Sequence, residues 1–212
     1  MCIIYIAMEI LGKLFGSEAR VKIMRLFLFN QDQIYDLDMV SQKSKVNKKT
    51  VKKEFLALER SALIKRKVFF KIVERKKRGK KIQKKVKSQG YCLNQAFSYL
   101  SALRQLLVSG KNLEGDEIVK RLSKAGKLKL VAVAGVFTQD KDSRLDMLVV
   151  GNNINKASLL NIIKSIEAEL GKELLYAHFE TEDFKYRLEM YDKLIRDVLD
   201  YPHKVLLDKI GL

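Results

Sequence analysis

Apolar residues recur at steps of three and four in some segments and at steps of two in others, and the switches between these periods outline the elements. Glu9 to Phe15 reads as a short helix ended by Gly16. Ser17 then caps a longer one through Phe29, with Val21, Met24 and Leu28 on one face. Asp36 is placed to cap a short helix that turns Leu37 and Val40 inward, and the polar stretch Gln42 to Lys45 reads as the turn after it. Asn47 caps the next segment, KKTVKKEFLALERS, where Val46 and Val51 have the spacing of a hydrophobic staple. Its buried stripe is expected to be Val51, Phe55, Leu58 and Ala62, with Lys48, Lys49, Lys52 and Lys53 on the opposite face. Two helices, a tight turn and a basic helix make the helix-turn-helix pattern.

The period then changes to two. Ile64, Val68, Phe70 and Ile72 alternate with lysines, which predicts a half-buried strand. Arg78-Gly79-Lys80 predicts a turn, and a second alternating stretch carries Ile82 and Val86, so the segment reads as a β-hairpin wing. Asn94 is expected to cap an amphipathic helix, QAFSYLSALRQLLV, closed by Ser109-Gly110 at a domain boundary. Beyond it the pattern predicts a helix over 117–125, strands over 128–137 and 145–150, and a helix over 155–170 closed by Gly171. A strand over 174–179 and one helix from Thr181 to about Leu199, broken before Pro202, complete the chain. The fold class is α+β: residues 1–110 form the helix-turn-helix unit with its wing, and residues 111–212 an α/β unit with a small mixed sheet.

Charge sharpens this division. Of the formal net charge of +17, all lies in residues 1–110, which hold 25 Lys and Arg against 8 Asp and Glu; the second half is balanced at 17 and 17. Residues 65–87 alone carry 13 basic residues and one acidic one. Such a hairpin repels itself and calls for a polyanionic partner. Double-stranded DNA is the expected one, with RNA as the rival; against RNA, the hairpin lacks paired aromatics for stacking unpaired bases. The helix N-terminus offers Asn47, Lys48, Lys49, Thr50, Lys52 and Lys53 to base edges in the major groove. Arg75, Lys76, Lys77, Arg78, Lys80, Lys81, Lys84 and Lys85 of the wing suit phosphates or an adjacent minor groove.

Cys2 and Cys92 have no metal-ligand spacing, and no stretch is apolar enough to cross a bilayer; a cytoplasmic protein without metal or cofactor is expected. His178 and His203 read as structural or surface residues, and Phe184, Leu188, Tyr191 and Leu194, at helical spacing, as core.

The run EILGKLFGSEARVKIMRLFLFN, followed by the helix-turn-helix and wing, resembles the winged helix domains of bacterial ArsR-like transcriptional regulators. Metal-sensing members of that family use Cys/His clusters, which this half does not have. In the second half, VAVAGVFTQDKDSRLDMLVVG, a long helix and LGKELLYAHFETEDFKYR look like the minimal nucleotidyltransferase domain of the polymerase-β-like superfamily. That resemblance implies a Gly-Ser after the first strand and an Asp-x-Asp on the second, whose carboxylates hold the two metals of phosphoryl transfer. Here the first motif reads Gly135-Val136 and the second Arg144-Leu145-Asp146, so one carboxylate remains and a cation stands where a metal ligand belongs. An Arg144–Asp146 ion pair is one expectation.

The reading is a DNA-binding transcriptional regulator with a nucleotidyltransferase-like unit that has no catalytic residues and serves sensing, dimerisation or partner docking. A homodimer, a nucleotide contacted by Gly135, Lys141 and Arg144, and a protein partner are its candidate associations. The alternative is an active nucleotidyltransferase in which Asp146 joins Asp140 or Asp142 as metal ligands.

Overall fold

A computed structural model describes residues 10–77, 80–108, 115–140 and 142–212, with the side chains of 73–77 and 80–82 excepted. The fold is α+β: helices and a β-hairpin, then a four-stranded mixed sheet with helices. The chain divides into two compact units, the described residues of 8–110 together with Ala168–Lys172, and those of 111–167 together with Glu173–Leu212. Cys2, Glu9, Ser109, Gly110 and Lys141 lie outside the described residues.

In the first unit a helical turn over 10–15 ends at Gly16, whose φ of +80° suits a residue without a Cβ. Helix α1 (Glu18–Phe29) follows, capped by Ser17, whose hydroxyl accepts from Arg20 N at 3.2 Å. Asp36 caps α2 (Leu37–Ser44) through Met39 N, and Asn47 caps α3 (Lys48–Arg60) through Thr50 N. The turn between α2 and α3 is Lys45–Asn47, not 42–45: Lys45 takes a left-handed φ of 53°, and Ser41 Oγ donates to Val46 O.

Val21, Phe27, Val51, Phe55, Leu58 and Ile64 meet in one core, where the Phe27 ring packs edge-on against Tyr35 and Phe55. Each such buried side chain contributes about 1.5–3 kcal/mol. Ala62 does not belong to this stripe. The helix stops at Arg60 because Leu63 N bonds Leu58 O and Ala62 N bonds Glu59 O. That pattern puts Ala62 in the left-handed region, exposed to solvent. The buried face of α3 is instead Val51, Glu54, Phe55 and Leu58.

Strands β1 (Ile64–Lys77) and β2 (Lys80–Leu93) pair antiparallel without interruption, Ile64 opposite Leu93 and Lys77 opposite Lys80. Fourteen residues per strand make a ribbon about 45 Å long at roughly 3.3–3.4 Å per residue. A bridge between Tyr35 and Tyr91 ties its base to the helices. Among the side chains described, the buried ones lie at that base. Val68, Phe70 and Ile72, expected on a half-buried face, are exposed, because the ribbon has two strands and extends past the core that covers Ile64 and Leu93.

The predicted helix over 95–108 is shorter. Asn94 bonds Ala62 O and Ala96 N instead of capping a helix, residues 95–99 form turns, and α4 spans Leu100–Leu107. Arg25, almost fully buried, donates to Leu107 O at 2.9 Å, and burial pulls its guanidinium down to about 10.

The second unit starts with α5 (Gly115–Leu122) and a short 3-10 turn, Ser123–Ala125, where a single helix over 117–125 is predicted. Strands β3 (Lys127–Val133) and β4 (Met147–Asn152), helix α6 (Lys156–Leu170), β5 (Tyr176–Glu180), α7 (Thr181–Glu189), α8 (Lys193–Leu199) and β6 (Lys204–Asp208) follow. The sheet order is β5-β4-β3-β6, parallel only between β4 and β5. The strand predicted to reach residue 137 ends at Val133, since Gly135–Phe137 forms a 3-10 turn. The last long helix is two. Tyr191 adopts a φ of 54°, and Asp192 caps a new helix by accepting from Leu194 N and Ile195 N. Phe184 is buried, but Tyr191, predicted as core, is 75 % exposed at that break. No helix among the described residues is long and apolar enough to cross a membrane.

Candidate nucleic-acid interface

The start of α3 gathers Lys48, Lys49, Lys52 and Lys53 within six positions. Its geometry follows from the cap: Asn47 Oδ1 accepts from Thr50 N at 2.8 Å, which fixes the first turn. The carbonyl oxygen of Asn47, one half of a bidentate contact to adenine, is thereby engaged within the helix. Asn47, Lys48, Lys49, Lys52 and Lys53 are exposed and Thr50 is half-buried. Lys48 Nζ meets Asp38 Oδ1 at 2.7 Å, an exposed pair that a phosphate can readily displace. Among the described residues, Lys49, Lys52 and Lys53 form no ion pair, and no acidic residue occupies the first turn.

Sequence reasoning missed what aims this helix. Glu54, 3 % exposed, accepts from Arg20 Nε at 2.7 Å, and Arg20 Nη1 donates to Phe15 O at 2.8 Å. One guanidinium thus joins α3 to α1 and to the turn before it. The signal was present: Val51, Glu54, Phe55 and Leu58 have the i, i+3, i+4, i+7 spacing of a buried face.

The ribbon is anchored at two further points. Lys71 Nζ contacts Asp36 Oδ2 at 2.6 Å, while Asp36 Oδ1 caps α2. Burial opposes the ionisation of Asp36, but the hydrogen bonds from Lys71 and Met39 N prevail and hold it below the usual carboxylate range. On the other ribbon face, Arg66 pairs with Glu59 of α3 at 2.7 Å, and the Tyr91 ring lies 4.4 Å from Phe55. Lys84 and Lys85 are exposed, as are Lys65, Lys67 and Lys87. Arg75, Lys76, Lys77, Lys80 and Lys81 are placed on the ribbon by register, their side chains outside the described residues, and Arg78 lies wholly outside.

In the second unit, Gly135 and Asp146 come together and Arg144 does not join them. Asp146, buried, accepts from Val136 N at 2.8 Å through Oδ1 and from Leu175 N at 2.9 Å through Oδ2. Both carboxylate oxygens hold backbone loops. Gly135 has a φ of +54°, and a Cβ there would lie 2.3 Å from Asp146 Oδ1. Arg144 pairs instead with Asp197 at 3.0 Å, because Asp146 is turned inward to those amides while Arg144 is exposed. Asp140 Oδ1 accepts from Asp142 N, so these two stabilise their own loop. Among the described residues no group of three or more His, Cys, Asp or Glu is placed to hold a metal. His178 is half-buried on β5, and His203 Nδ1 lies 2.8 Å from Tyr201 O.

Neither family models, nor curated proteins, nor solved structures match the chain.

Proposed function

We propose that this protein is a DNA-binding regulator of transcription with a winged helix-turn-helix first unit: α3 enters the major groove and the ribbon is the wing. The observation that carries the reading is the bare cationic start of α3, three exposed lysines with no ion-pair partner among the described residues, beside a ribbon whose basic residues far outnumber its single acid. Lysines on the first turns of an exposed helix can reach guanine O6 and N7, while strand lysines neutralise phosphates and set affinity. The Arg20–Glu54 and Lys71–Asp36 pairs support this by fixing α3 and the ribbon on one scaffold. The second unit serves sensing, dimerisation or partner docking. Its one motif carboxylate, Asp146, is engaged by two backbone amides, which favours a structural over a catalytic use of that loop.

The test is selection from a random duplex library at several salt concentrations, with an RNA pool in parallel. An enriched motif lost in Lys49→Ala/Lys52→Ala supports a sequence-specific regulator. The same double variant should lower the slope of log affinity against log salt by about 1.8 if both lysines sit on phosphates, and relax the motif if they read bases. Retention of RNA over duplex DNA would refute the proposal.

A further inference from the structure

We propose that Val68, Phe70 and Ile72 form an apolar wedge that enters a groove of duplex DNA, where Phe70 parts one base step and bends the helix; this rests on the DNA-binding reading above. The three side chains are 50 %, 67 % and 61 % exposed. They alternate along β1 and therefore share one ribbon face. Register sets Gln89, Lys87 and Lys85 directly opposite them on β2, so an apolar row runs beside a row with two exposed lysines. Nearer the ribbon's base the same face carries Arg66 and Tyr91, whose partners Glu59 and Phe55 belong to α3. The stripe thus starts where the packing of α3 ends.

Charge selects the occupant. A second copy on this face would bring its own lysine row against Lys85 and Lys87, and like charges held that close repel. Duplex DNA offers the matching arrangement, with phosphates along the groove margin and base faces between them. Spacing agrees: alternate strand residues lie about 6.8 Å apart, the rise of roughly two base steps. Phe70 in one step then leaves Val68 and Ile72 against the sugars and base edges two steps away. Side chains of this type, inserted between base steps, kink DNA by roughly 20–90°.

The test uses the full chain and a 24-base-pair mixed-sequence duplex with donor and acceptor dyes at its ends. At saturation the protein should raise energy transfer between the ends. Phe70→Ala should keep its thermal transition and its salt slope, bind about tenfold more weakly and leave the duplex straight. Phe70→Leu should restore the bend, and Lys85→Ala/Lys87→Ala should lower the salt slope by about 1.8 while the saturated duplex stays bent. Binding without bending, or an unchanged bend with Phe70→Ala, overturns the wedge and leaves the DNA reading standing. Absence of duplex binding, or a preference for single strands, removes both.

Discussion

Replacing Arg20 by Met removes the cation that faces Glu54 while keeping a side chain of similar reach. Glu54 is 3 % exposed and its carboxylate sits 2.7 Å from Arg20 Nε, whereas the Arg20 side chain is 31 % exposed. Breaking a fully buried pair from one side costs about 3–5 kcal/mol, since the remaining charge stays desolvated. Solvent at Arg20 screens part of this, so a loss of about 2–3 kcal/mol is expected, including the bond to Phe15 O. For a unit of about 100 residues that lowers the melting transition by roughly 10–20 °C. The assay is differential scanning calorimetry of the full chain, with Arg20→Met, Glu54→Met and both together. The double variant should recover much of the loss, because apolar side chains fill the site without a stranded charge. A shift under about 3 °C for Arg20→Met, or additive single effects, would refute the claim that this pair holds α3 in place.

Asp36 is held below its ordinary pKa, so its contribution is present at neutral pH and is lost as pH falls from about 4 through the folded value. Asp36→Asn should keep the cap, lose the Lys71 bond and flatten that acid limb in pH-dependent unfolding. Asn47→Ala removes the acceptor for Thr50 N and should cost about 1 kcal/mol, read by chemical denaturation. Gly135→Ala meets both a left-handed φ and a carboxylate oxygen 2.3 Å from its new methyl; a loss above about 2 kcal/mol in the second unit's transition is expected, and a neutral result would refute the packing described.

The helix starts were legible because capping is local: Ser17, Asp36 and Asn47 each reach an amide three residues on, a distance fixed by the backbone itself. Asn94 has the same chemistry but caps no helix, because its amide finds Ala62 O across the chain, a partner no periodicity announces. The break at Tyr191 was hidden likewise. The apolar period continues through Leu188 and Leu194, and only the cap at Asp192 betrays two helices. At the candidate interface the lysines were plain in the sequence. The buried acid that positions them, and the exposure of Val68, Phe70 and Ile72, depend on what packs where and on how many strands the ribbon has.

The uninterrupted register of the ribbon sets Lys76 opposite Lys81 and Lys77 opposite Lys80. Like charges on facing rungs oppose the hydrogen bonds that zip the strands together, and dissolved ions decide the balance by screening them over roughly 10 Å at 0.1 M. The ribbon is in this respect a polyelectrolyte: its outer pairing tightens as ionic strength rises, while any hold on a polyanion loosens. Amide exchange along β1 and β2 should therefore slow with added salt in the free protein, and slow further in dilute buffer once an anionic partner supplies the missing countercharge.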